Sequence, residues 1–134
     1  MSGRLLLDTN FIIGYLLEKE PLVAFLVRYA NFELYASVIT KLELLSYHAL
    51  SDQDETEFKS FLNNVAIVPV NDEVQATTIM FRRATRKKLP DSIVAASAIS
   101  MNAILVTSDR ELAATAFPGL RTVNPDDVPL SGAS

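Results

Sequence analysis

Short apolar runs alternate along this chain with stretches in which apolar residues recur every three or four positions. The short runs predict β-strands, which we place at residues 5–7, 32–36, 65–70, 104–106 and 120–123. The helical spacing predicts helices, which we place at residues 11–17, 21–29, from about 40, 52–62, 72–88, 90–101 and briefly through 112. Strands separated by helices predict an α/β protein: a three-layer α/β/α fold whose central sheet is mostly parallel.

The length and the apolar content fit one domain. The 134 residues are 49% hydrophobic, enough for a substantial core, so we expect a single domain over residues 1–128 and a flexible tail over residues 129–134. The longest stretch without a formal charge, residues 92–108, contains Ser, Thr and Asn and is too polar for a membrane span. The apolar run before Asp8 is too short for a secretory signal, so we expect a cytoplasmic protein with no membrane association.

Four acidic residues fall where strands give way to helices or where helices begin: Asp8, Glu43, Asp91 and Asp109. In a parallel sheet, the helices that follow strands begin at the carboxyl edge, where ligands bind. We therefore expect the four side chains to converge at that edge. Clustered carboxylates repel one another unless cations neutralise them. The pattern predicts a site for one or two divalent cations.

Each of these acids also has a structural explanation. Asp8 or Asn10 can cap a helix, and Asp91 falls in a first helical turn after Pro90. Residues 40–43 and 108–111 each match a capping box. Taken one at a time, capping explains each acid as well as metal binding does. Only the joint pattern favours a metal site.

Composition restricts the chemistry of such a site. The chain has no cysteine and one histidine, His48, so disulfides, thiol nucleophiles and the usual zinc ligand sets are excluded. Oxygen ligands favour Mg²⁺ or Mn²⁺, which activate water and polarise phosphoryl oxygens. Phosphodiester hydrolysis is the reaction that this chemistry favours. We expect no direct role for His48.

The charge distribution bears on a nucleic-acid substrate. The net charge is −4 and the isoelectric point about 4.9, which argues against a passive nucleic-acid coat. Five cations nevertheless lie within seven residues just before Asp91: Arg82, Arg83, Arg86, Lys87 and Lys88. Such a strip can bind an RNA backbone. The alternative is that these cations favour a helix C-terminus or a solvated face.

Four segments in this order and spacing resemble the PIN-domain ribonucleases, in particular the VapC-type toxins of bacterial type II toxin-antitoxin pairs. They are residues 5–10, 37–44, 89–98 and 104–112. The resemblance implies an endoribonuclease dependent on Mg²⁺ or Mn²⁺. It places the catalytic and metal-binding acids at Asp8, Glu43, Asp91 and Asp109, with supporting roles for Asn10 and Thr107. It also implies a homodimer, inhibited by an antitoxin whose C-terminal segment lies in the active-site groove. The role of Glu111, two residues after Asp109, stays open.

Other classes of function compete with this hypothesis. A catalytically silent module could keep the fold and bind RNA or protein, although such a module has no need of four clustered charges. A small-molecule phosphohydrolase could form an aspartyl phosphate on Asp8, but Asn10 stands where that chemistry usually has a second aspartate. A Ser-His-Asp hydrolase is disfavoured because the chain has no Gly-x-Ser-x-Gly motif.

Overall fold

The computed structural model describes residues 3–127, so the predicted tail at residues 129–134 lies outside the described part. Over that range the chain forms five strands, seven α-helices and a short 3₁₀ turn. In order these are β1 (Arg4–Leu7), α1 (Thr9–Leu16), α2 (Glu20–Arg28), β2 (Glu33–Ser37), α3 (Val38–Leu45), α4 (Asp52–Leu62), β3 (Ala66–Val68), α5 (Asp72–Thr85), α6 (Leu89–Ser100), β4 (Ile104–Val106), α7 (Arg110–Ala113), β5 (Thr122–Val123) and the turn Pro125–Asp127.

The five strands form one sheet in the order β3-β2-β1-β4-β5, and every neighbouring pair is parallel. The chain builds outward from β1 to β2 and β3, then returns to β4 on the other side of β1. The strand order therefore reverses between β1 and β4, and the crevice at such a reversal is where open α/β sheets bind ligands. Leu7 pairs with Val106 at this point.

Alternating residues of β1 supply the two apolar cores. Leu5 and Leu7 pack against one face, together with residues of α1, α2, α3 and α4, whereas Leu6 packs against the other face with residues of α5 and α6. All three leucines are fully buried, and burial of each contributes about 1.5–3 kcal/mol. Helices therefore cover both faces of the sheet, and the predicted three-layer α/β/α fold is confirmed.

Helix α3 begins two residues before its predicted start. Its N-cap is Ser37, whose hydroxyl accepts a hydrogen bond from the amide of Ile39. Thr40 is consequently inside the helix and fully buried. The predicted capping box over residues 40–43 is wrong, and Glu43 lies in the second turn of the helix rather than the first.

Helix α5 ends at Thr85, three residues before the predicted end, because Arg86 adopts a left-handed conformation with φ of 61°. Helix α6 packs antiparallel to α5: the Ser100 hydroxyl, at its end, donates to a carboxylate oxygen of Glu73, at the start of α5, over 3.1 Å. Along the range 3–127, no helix has the length and apolarity to cross a bilayer.

Candidate metal centre

Asp8 directly follows β1, at the point where the strand order reverses. Its backbone amide donates to the carbonyl of Val106 over 3.2 Å, which ties it to the end of β4. Its Oδ1 accepts a 2.7 Å hydrogen bond from the amide of Phe11, so Asp8 caps α1. The capping explanation is therefore correct for this residue, but the cap uses only one of its two carboxylate oxygens.

Thr107 connects Asp8 with Asp109. It is fully buried at the end of β4. Its hydroxyl accepts a 3.1 Å hydrogen bond from the amide of Asp109 and lowers the pKa of Asp8 by hydrogen bonding to that carboxylate. Asp109 itself caps α7, since its Oδ1 accepts from the amides of Glu111 and Leu112. The predicted second capping box is thus wrong in one respect, because the cap is Asp109 and not the residue before it.

Glu43 reaches the same edge from the second turn of α3. Its Oε1 accepts a 2.6 Å hydrogen bond from the hydroxyl of Thr9, which lies in the first turn of α1. Thr9 was not among the predicted site residues. The available signal was its position between Asp8 and Asn10, which were both predicted to belong to the site.

Asp91 lies in the first turn of α6. This helix follows α5 and not a strand, so no preceding strand places its start at the carboxyl edge. Antiparallel packing on α5 brings its start to the site instead. The result is one cavity of about 190 Å³ whose lining includes all four acids. The complete lining is Asp8, Thr9, Asn10, Glu43, Pro90, Asp91, Val94, Asp109 and Leu112.

The electrostatics of the cavity reflect this crowding. Burial raises the pKa of Asp8 to about 6; hydrogen bonds from Thr107 and from the Phe11 amide oppose the shift, and the charges of Asp109 and Asp91 add to it. Burial also raises the pKa of Asp91, and the negative charge of Asp109 raises it further, whereas the positive charge of Lys88 opposes the rise. The cavity therefore favours a bound cation or proton.

The donor set fits a hard divalent cation, because every polar side chain that lines the cavity offers oxygen. Within residues 3–127, no group of three or more acidic or histidine side chains stands in an arrangement that could hold a metal ion. A metal-binding role therefore requires some of the cavity carboxylates to change rotamer as the ion binds.

The predicted basic segment adjoins the cavity. Lys87 and Lys88 occupy the connection between α5 and α6, close enough for their charges to lower the pKa of Asp91. The Ser92 hydroxyl donates to the Lys88 carbonyl over 2.8 Å, and Arg82 donates to the Lys87 carbonyl over 3.2 Å. The remaining two cations of the strip, Arg83 and Arg86, are exposed. Positive charge thus extends from the end of α5 to the entrance of the site.

Two further titratable residues lie away from the cavity lining. His48 is exposed in the turn after α3, with its ring 5.1 Å from that of Tyr47. Glu111 is exposed on α7 and contributes its backbone amide to the Asp109 cap. Among the described residues, neither side chain lines the cavity.

Comparison with protein families shows which family the chain belongs to. The model of the PIN domain matches residues 5–118, which include all four acids. The chain belongs to the PIN domain family. The comparison with curated proteins gave no match.

Solved structures share the fold. A chain of VapBC2 from Rickettsia felis, bound to a DNA fragment from its promoter, matches with a TM-score of 0.78 at 21% identity, covering 90% of this chain and 98% of that one. A toxin-antitoxin complex from Klebsiella pneumoniae matches with a TM-score of 0.77 at 24% identity, covering 90% and 96%. VapBC-1 from nontypeable Haemophilus influenzae matches with a TM-score of 0.74 at 22% identity, covering 92% and 98%. At these identities the likeness shows a common fold.

Proposed function

We propose that residues 1–128 form one nuclease domain, a metal-dependent endoribonuclease that is the toxin of a toxin-antitoxin pair. One observation carries the proposal: four carboxylates from four separate elements line a single cavity at the strand-order reversal of a PIN domain. Burial raises the pKa of Asp8 and of Asp91, and the charges of the neighbouring acids add to both shifts. That arrangement costs stability unless it serves to bind a cation.

The residues have distinct roles in this proposal. Asp8, Glu43, Asp91 and Asp109 hold the cation, Mg²⁺ or Mn²⁺. A bound cation of this kind activates water and polarises a phosphoryl oxygen. Thr107 accepts a hydrogen bond from the Asp109 amide and lowers the pKa of Asp8 through a hydrogen bond to its carboxylate. The Asn10 amide can donate a hydrogen bond to a phosphate oxygen.

RNA is the substrate that the surroundings favour. The basic segment from Arg82 to Lys88 offers phosphate contacts that do not depend on sequence, and it leads to Asp91. A chain of net charge −4 needs such a local patch to attract a polyanion. Single-stranded or looped RNA has unstacked nucleotides, so it can present a phosphodiester to a small cavity more readily than a duplex can.

An apolar groove beside the cavity supports an antitoxin partner. The groove has a volume of about 400 Å³, and its lining is mostly apolar but includes the acids Glu43, Asp54 and Glu57. The other lining residues are Ile13, Leu16, Leu17, Leu44, Tyr47, Leu50 and Phe58. An antitoxin C-terminal segment that is amphipathic and basic would follow this groove past Glu43 and block the active-site cavity. If such a segment inhibits the toxin, Leu17→Glu should keep cleavage but abolish neutralisation by a co-expressed antitoxin. Neutralisation equal to that of the wild type would remove this part of the proposal.

We also propose a homodimer in the cytoplasm, where cellular RNA is available. Ile79 and Met80 on α5 are 52% and 63% exposed, which leaves apolar surface that a second copy can cover. Charged substitution of Met80 should shift the protein to monomer in sedimentation equilibrium. A monomeric wild type at micromolar concentration would contradict the homodimer.

The central test is incubation of purified protein with mixed RNA in Mg²⁺, in Mn²⁺ and in chelator. Asp8→Asn and Asp91→Asn remove one charge each from the cavity, and Asp126→Asn is the matched control at an exposed site. We expect metal-dependent cutting by the wild type and the control, reduced at least 100-fold in both cavity variants.

Two outcomes would contradict the enzyme. Equal cutting by all variants would identify a contaminating nuclease. RNA binding by the wild type without cutting in either metal would instead support a catalytically silent module.

A further inference from the structure

Glu43 lies between two cavities. It is exposed on α3 and belongs to the lining of the acidic cavity and of the apolar groove. A glutamate has three rotatable side-chain bonds, so an exposed one samples several conformations unless a partner fixes it. The direction in which its carboxylate points decides whether it can serve the acidic cavity.

Thr9 fixes that direction. It lines the acidic cavity and is not among the groove residues, and its hydroxyl donates to Glu43 Oε1 over 2.6 Å. A hydrogen bond to a carboxylate at this distance is short and charge-assisted, which makes it stronger than a neutral one. It holds one oxygen on the side of the cavity and leaves Oε2 for a ligand.

Thr40 supports Thr9 from behind. Its hydroxyl oxygen lies 3.2 Å from that of Thr9, and its side chain is fully buried in α3. A threonine hydroxyl has one proton. Because the Thr9 proton is directed to Glu43, the Thr40 hydroxyl is the donor between the two threonines. The hydrogen bonds therefore run in one direction, from Thr40 to Thr9 to Glu43.

We propose that Thr9, supported by Thr40, is the positioning residue that holds Glu43 ready for the divalent cation. The inference rests on the proposed function in so far as Glu43 is a metal ligand. Hydrogen-bond partners of metal ligands orient the ligand, and their loss typically weakens metal binding by about 10-fold to 100-fold. In this role Thr9 acts on the cation through Glu43.

Substitution of Thr9 by valine tests the proposal, because valine keeps the branched shape and removes only the hydroxyl. We expect Thr9→Val to weaken Mn²⁺ binding, followed by electron paramagnetic resonance, by about tenfold. Thr9→Ser restores the hydroxyl and should bind within about twofold of the wild type, since the hydrogen bond is regained. In a Glu43→Gln background, Thr9→Val should have little further effect. Thr122→Val is the matched control, a half-buried threonine whose hydroxyl donates to the Ala113 carbonyl outside the cavity.

A second measurement needs no metal. Three-bond couplings in NMR spectra of the metal-free protein should show one dominant Glu43 side-chain rotamer in the wild type and in Thr9→Ser, and rotamer averaging in Thr9→Val. Mn²⁺ binding by Thr9→Val equal to that of the wild type, or failure of Thr9→Ser to restore it, would overturn the proposal. An averaged Glu43 in the wild type would overturn it as well. A wild type that binds no Mn²⁺ but has a fixed Glu43 would instead contradict the proposed function.

Discussion

The backbone amide of Asp8 donates a hydrogen bond to the carbonyl of Val106, and this single contact sets the first carboxylate of the cavity beside the end of β4. The bond continues the pairing of Leu7 with Val106 by one residue. Thr107 and Asp109 come just after the end of β4. The parallel pairing of β1 with β4 therefore brings two of the four acids, Asp8 and Asp109, together. The proximity of Asp8 and Asp109 is therefore a consequence of strand order.

The buried carboxylate of Asp8 should make the metal-free protein less stable as pH rises. The pKa of Asp8 is about 6 in the folded protein against an ordinary value of 3.8. Between these values the unfolded chain releases the proton while the folded protein retains it, so stability falls with rising pH and the loss is complete above pH 6. At 1.36 kcal/mol per pKa unit, the loss is about 3 kcal/mol.

Asp8→Asn removes this charge and keeps a residue that caps helices well. In chelator we expect the variant to be about 2 kcal/mol more stable than the wild type near pH 8, and nearly equal to it near pH 4. Urea denaturation at both pH values measures this, with Asp126→Asn as the exposed control. A variant that is less stable near pH 8 would show that Asp8 stabilises the fold.

Metal binding should weaken in acid for the same reason. A cation competes with the proton on Asp8, so its affinity should fall about tenfold per pH unit below the Asp8 pKa of about 6 and level off above it. The Mn²⁺-induced rise in melting temperature, measured from pH 5 to pH 8, follows this affinity. An equal rise at every pH would mean that Asp8 is not a ligand.

The basic segment should contribute to RNA affinity through charge. Lys87→Gln and Lys88→Gln should each weaken binding of single-stranded RNA and lower the slope of log affinity against log salt by about 0.7 per lost phosphate contact. Arg28→Gln, an exposed cation in the last turn of α2, is the control. Unchanged slopes in both lysine variants would show that Lys87 and Lys88 are solvated surface residues that do not contact RNA phosphates.

Water as the attacking group makes the RNA 2′-hydroxyl dispensable for chemistry. An oligonucleotide with a single deoxyribose at the cleaved nucleotide should be cut at a rate within about tenfold of the all-RNA substrate, because only contacts to that hydroxyl are lost. Quantified cleavage of the two oligonucleotides under single-turnover conditions measures this. Complete resistance of the substituted substrate would indicate attack by the 2′-hydroxyl instead.

The sequence predicted the architecture well because its signals were local. Short continuous apolar runs, such as Leu5 to Leu7, fall on strands that are buried on both faces of the sheet. Helical spacing of apolar residues located the helices to within a few residues. Helix ends were less accurate. The left-handed Arg86 that ends α5 has no sequence signature, since arginine at such a position is uncommon.

The candidate site was predicted in part, and partly for the wrong reason. Asp8 and Asp109 follow neighbouring strands, as the argument from strand ends required. Glu43 lies a turn deeper in its helix than expected and depends on the hydrogen bond from Thr9. Asp91 depends on the packing of α6 against α5. Both relationships are tertiary contacts between distant segments, which periodicity and spacing do not contain.

Cation binding by the four-acid cavity and RNA cleavage should be one event. The most direct test measures Mn²⁺ binding and the single-turnover cleavage rate over the same Mn²⁺ series, for the wild type and Asp91→Asn. We predict that both quantities saturate over the same concentration range in the wild type, and that both are lost together in the variant. Cleavage that saturates where no binding occurs, or that persists in Asp91→Asn after binding is lost, would contradict the claim.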